Sequence, residues 1–113
     1  MIIAFSVQPT GEPSDPSLTR DLAEGADAAS VHDAVAAAVR VVRESGLPNR
    51  TSSMFTEIEG DWDDVMDVVR RATAEAGRYG SRVSLVLKAD IRPGHEGELD
   101  GKIERLDAAL DRH

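Results

Sequence analysis

Four hydroxyl side chains, Ser6, Thr51, Ser53 and Thr56, stand in stretches that otherwise read as apolar or β-branched strands. A hydroxyl buried in such a strand needs a hydrogen-bond partner, and either a ligand or a cross-strand hydroxyl supplies one. Beside them, Met54 and Phe55 offer apolar walls for a small ring. Glu57 and Glu59 lie two apart, so on a strand they share one face and turn two carboxylates toward a cationic or amine-bearing ligand. The commoner fate of such a pair is a solvated strand edge or a salt bridge to another subunit. The candidate ligand-binding residues are therefore Ser6, Thr51, Ser53, Met54, Thr56 and Glu57.

Other suggestive groups read as structural. Asp61, Asp63, Asp64 and Asp67 crowd the start of a helix, where the dipole and capping geometry favour acids, so no metal is expected there. His32, His95 and His113 belong to no ligand motif and read as surface residues, with His32 of interest because it falls in the first turn of a predicted helix. Gly94-His95-Glu96-Gly97 lacks the lysine of a phosphate loop and reads as a turn. Trp62 is expected as a plug between helix and sheet. No nucleophile and base stand at a recognisable spacing, so neither catalysis nor a cofactor is expected.

The elements that position these groups follow from periodicity. Ile2 to Val7 is a β-rich run closed by Pro9 and Gly11, with Ile3, Phe5 and Val7 on one face. Residues 12–29 hold Pro13, Pro16 and Gly25 among scattered acids, which predicts a mobile acidic insertion with a short helix near Leu18 to Ala23. A helix is expected from Ser30, with Ser30 and Asp33 as a capping box and Val31, Val35, Ala38, Val39 and Val42 as its apolar stripe. Gly46 and Pro48 end it. Arg50 to Glu59 reads as one long strand or as two short strands folded near Ser53 to Phe55, and the hairpin is favoured. A second helix opens at Asp61, and Gly77 and Gly80 stop it. Arg82 to Ile91 alternates as a strand, and Leu99, Ile103, Leu106 and Leu110 mark a last amphipathic helix. The order β-α-β-β-α-β predicts an α+β, ferredoxin-like antiparallel sheet with helices on one face, plus a C-terminal helix.

At 113 residues the chain fits one domain with a modest core, and its four aromatic residues leave the packing to aliphatic side chains. The absence of cysteine rules out disulfides and thiolate metal sites and suits a reducing compartment. The apolar start is too short for a signal sequence, so a cytoplasmic protein is expected. A net charge of −8 argues against nucleic acid and anionic membrane as partners. Half of that charge falls in residues 10–29, where five acids face one base. The other sheet face, bearing Ile2, Ala4, Ser6, Ser84, Val86 and Lys88, is too apolar for open water, which predicts a subunit partner.

The sequence also resembles a known family. Ile3-Ala4-Phe5-Ser6-Val7 with Pro9 and Gly11, Ser45-Gly46-Leu47-Pro48, Met54 with Thr56, and Ile58-Glu59-Gly60 before Trp62-Asp63-Asp64-Val65-Met66 follow one another as in the small single-domain branch of the YkoF-like thiamine-binding proteins. Arg82-Val83-Ser84, Lys88, Asp90, Arg92 and Gly101-Lys102 continue the likeness. It covers nearly all of the chain except Glu12 to Ala29. The resemblance implies a ferredoxin-like subunit that forms a homodimer or homotetramer and binds thiamine or its hydroxymethylpyrimidine part without catalysis. A pyrimidine bears donors and acceptors that suit the four hydroxyls, and Glu57 would offset a positive thiazolium. The chain departs from the family in two places: Ser53-Met54-Phe55-Thr56 replaces the usual Pro-Met-Gly-Thr, and the connection after the first strand is longer. The rival reading is a structural or regulatory interaction module assembling through its sheet face.

Overall fold

The structure, a computed structural model, describes residues 1–13, 16–18 and 27–112. Strand β1 (Ile2–Thr10) is central, paired on both edges, with Ile3, Phe5 and Val7 buried on one face and Ile2, Ala4 and Ser6 half-buried on the other. It pairs antiparallel with β3 (Thr56–Glu59) on one side and with β4 (Arg82–Asp90) along its whole length on the other. Strand β2 (Asn49–Thr51) closes a hairpin onto β3, giving the sheet order β2-β3-β1-β4. This is the expected ferredoxin-like order, and the hairpin falls where the sequence placed it.

Helices α1 (Asp27–Glu44) and α2 (Trp62–Ala76) lie on the face of Ile3, Phe5 and Val7. Ile58, Ala34, Ala38, Val42, Val65, Val68, Val69, Ala72 and Ala76 complete the core with them. Each buried Val or Ile stabilises the fold by about 1.5–3 kcal/mol, while the alanines bring the two helices close. Gly80 sits where β4 begins, and a Cβ there would lie 2.5 Å from the Thr10 carbonyl oxygen. Only glycine permits that approach.

Two sequence expectations for the helices fail. Helix α1 begins at Asp27, not Ser30, so Ser30 lies inside the helix and cannot cap it. Residues 27–29, the last of the predicted insertion, thus belong to this helix. Ser17 and Leu18 close a short 3-10 turn, Pro16–Leu18, and the rest of the proposed helix near Leu18 to Ala23 lies outside the described residues. Trp62 is 54% exposed rather than a core plug, because the first residue of α2 overhangs the end of the sheet. Asp61 holds the cap position of α2 with extended backbone and makes no side-chain capping bond.

Helix α3 (Glu98–Asp111) crosses to the opposite sheet face. Its Leu99 is buried there, while Ile103, Leu106 and Leu110 remain exposed. Part of the face assigned to a partner subunit is thus covered by the chain itself. No helix among the described residues is long and apolar enough to cross a membrane.

Candidate ligand-binding site

Strand β3 begins at Thr56, paired with Phe5, whereas β1 runs on to Thr10. Beyond Phe5 the β3 side of β1 has no strand neighbour. The hairpin turn folds into this gap, held by Ser52, whose N–H donates to the Phe55 carbonyl oxygen at 2.9 Å. Between turn, β1 and α1 lies a cleft of about 110 Å³ lined by Phe5, Val7, Val35, Ala38, Val39 and the chain from Thr51 to Thr56. Thr51 and Thr56 face each other across the register, and their Oγ1 atoms pair at 3.3 Å. Thr56 is buried; Thr51, Ser53 and Met54 are exposed at the rim.

Five of the six sequence candidates therefore meet: Ser6, Thr51, Ser53, Met54 and Thr56 all border this cleft. Ser6 does so through β1, although alternation assigns its side chain to the other face with Ala4. Val35 and Val39, read from the sequence as core, are its apolar wall. Their signal was present in the four-residue spacing, but periodicity does not separate a helix face packed on a sheet from one packed beside a gap. The cleft opens onto a broader groove of about 830 Å³ along α1, bordered by His32, Val35, Ala36, Val39, Arg40, Arg43, Glu44 and Ser53.

Glu57 does not join the other five. Thr56 points to the helices, so the next residue must point away. Glu57 lines a separate cavity of about 490 Å³ between the outer sheet face and α3, with Ile2, Ala4, Lys88, Asp90, Leu99, Lys102 and Ile103. Glu59 shares that face, as its spacing required, and is buried rather than a solvated edge. Its carboxylate caps α3: the Glu98 N–H donates to Oε2 at 2.7 Å and the Leu99 N–H to Oε1 at 3.3 Å. Gly97, in left-handed backbone at φ +68, occupies the cap position and brings no side chain of its own. The remote carboxylate replaces the missing cap.

The same helix start gathers charge. The Arg105 guanidinium, bonded to Glu98 at 2.6 Å, holds the Glu98 carboxyl below its usual range, helped by Arg92 and His95 and opposed by burial. Arg50 bridges to Asp100 at 2.6 Å, and Lys102 pairs with Asp90. Among the described residues no group of three or more His, Asp or Glu side chains converges as a metal site.

A family profile described as thiamine-binding protein matches residues 3–107. The chain belongs to that family. It is 42% identical over 111 residues to the UPF0045 protein Mb1933 of Mycobacterium bovis, covering 97% of this chain and 94% of the relative. A domain of unknown function from Bacillus cereus superposes with a TM-score of 0.69 at 28% identity, covering 90% of this chain and 85% of that one. A candidate thiamine biosynthesis or salvage protein of Thermotoga maritima shares the fold at 16% identity, with a TM-score of 0.66 over 91% of this chain and 96% of that one. For a member of the thiamine-binding protein family, the hairpin turn stands out, because the half-buried Phe55 occupies space in the cleft that the expected glycine would leave open.

Proposed function

We propose that this protein binds thiamine or its hydroxymethylpyrimidine moiety, without catalysing its conversion, in the cleft between α1 and the β2–β3 hairpin. The observation that carries the reading is the convergence of Thr51, Ser53 and Thr56 with Val35, Val39, Met54 and Phe55 in one cleft of a thiamine-binding family member. Hydroxyls at one end and apolar walls around them suit a flat ring that both donates and accepts hydrogen bonds. The volume of about 110 Å³ is below the roughly 300–1,000 Å³ of common ligand pockets. It suits a single ring, so the pyrimidine enters the cleft and the rest of thiamine extends into the groove along α1. Glu57 drops out of the ligand set on this reading, because it lies across the sheet.

The cytoplasm is the proposed location, and the proposed working form is a homodimer or homotetramer. Val86 on the open sheet face and Ile103, Leu106 and Leu110 on α3 are exposed apolar residues, which favours assembly. The same residues support the second reading, an interaction module. Calorimetric titration with thiamine and with free hydroxymethylpyrimidine tests the first reading. Saturable binding of both is expected; no binding of either at millimolar concentration favours the module.

A further inference from the structure

The groove outside α1 carries a pair of cations that no acid among the described residues neutralises, beside the proposed ring site. Arg40 and Arg43 are three residues apart and neighbours on the helix surface, both exposed, and neither forms an ion pair among the described residues. Arg50, Arg70, Arg71, Arg78, Arg92 and Arg105 all do. Arg82 and Arg112 likewise form no ion pair among the described residues, but Arg40 and Arg43 alone among these stand together along one groove, in a chain with eight more negative than positive charges. They border the same groove as His32, and Val35, Val39 and Ser53 belong to both groove and cleft, so the two spaces are continuous. Among the described residues one acid, Glu44, borders the groove, leaving the arginine pair in excess.

We infer that this groove binds the phosphate end of a phosphorylated form of the ligand, with Arg40 and Arg43 as the phosphate-binding residues. The inference rests on the ring site proposed above. Along α1, Val35 to Arg43 spans about 12 Å at 1.5 Å per residue. That reach matches a two-ring vitamer laid along the helix, with its pyrimidine by Val35 and its phosphoryl group at the guanidinium pair. Guanidinium groups meet phosphate oxygens through paired, charge-assisted hydrogen bonds that a free hydroxyl cannot reproduce. The protein therefore distinguishes phosphorylated from unphosphorylated ligand by its far end, while the cleft reads the ring common to both.

The test is calorimetry with thiamine, thiamine diphosphate and inorganic pyrophosphate on the full chain, on the Arg40→Gln/Arg43→Gln double variant and on Arg82→Gln, an exposed arginine outside the groove. The wild type is expected to bind the diphosphate at least about tenfold tighter than thiamine. The double variant should lose that preference yet keep its affinity for thiamine within about twofold, and Arg82→Gln should keep both. Equal affinities in the wild type, or a preference that survives the double substitution, overturn the inference. Pyrophosphate separates the two claims. Pyrophosphate binding that the double variant loses upholds the groove even if thiamine fails to bind, whereas failure of all three ligands overturns groove and ring site together.

Discussion

Thr56 has the only buried hydroxyl among the cleft's Thr and Ser side chains, and its partner within the chain is Thr51 at 3.3 Å. Thr56→Val keeps the shape and removes the group that a ring nitrogen would meet. Affinity for thiamine and for hydroxymethylpyrimidine should fall alike, by about 0.5–1.5 kcal/mol each. Thr51 is exposed and turns to water, so calorimetric affinity should drop with little change in melting temperature. Wild-type affinity in Thr56→Val would remove the hydroxyl from the site. The hydroxyl residues were legible in the sequence because polar groups in apolar strands are informative wherever they stand. The separation of Glu57 from the other five has a reason the sequence also held: Thr56 and Glu57 are adjacent on one strand and point to opposite faces of the sheet. The role of Glu59 was not legible at all, since its donors lie 39 and 40 residues further along the chain.

Elements divide the same way. Strand β1 and the β2–β3 hairpin were readable from alternation and turn chemistry, because both signals are local. The start of α1 was not, since Asp27 to Ala29 are as compatible with a helix as Ser30 is with a cap, and packing decides between them. Trp62 has the right period for the core but sits one turn too early, past the end of the sheet that would bury it. Helix α3 is the element with the clearest single dependency. Glu59→Ala leaves the Glu98 and Leu99 amides, both in buried residues, without their acceptor. The expected cost is about 1–3 kcal/mol, with Glu59→Gln milder because its carbonyl still accepts. Hydrogen exchange at residues 98 and 99 should accelerate and the melting temperature should fall. Unchanged exchange would mean that Arg50, Lys102 and the buried Leu99 hold α3 without the cap.

At the scale of the whole molecule, the helix-covered sheet face is finished within one chain and the other is not. Helix α3 covers the Ile2 and Ala4 end, whereas Val86 stays 54% exposed, and Leu106 and Leu110 on α3 are exposed too. A second copy seated there would bury that surface, and a stable contact needs roughly 800 Å² from each partner. Val86→Asp should therefore lower the mass seen by light scattering, since an unpaired charge buried in an interface costs several kcal/mol, on the order of 3–5. An unchanged mass would place any assembly elsewhere. The central claim concerns which of two cavities takes the ligand, the cleft beside α1 or the larger cavity beneath α3. Amide NMR during titration with hydroxymethylpyrimidine tests it most directly. Saturable shifts at Val35, Thr51, Ser53, Phe55 and Thr56, with Lys88, Leu99 and Ile103 unmoved, are the predicted result; shifts confined to Lys88, Leu99 and Ile103 would contradict it.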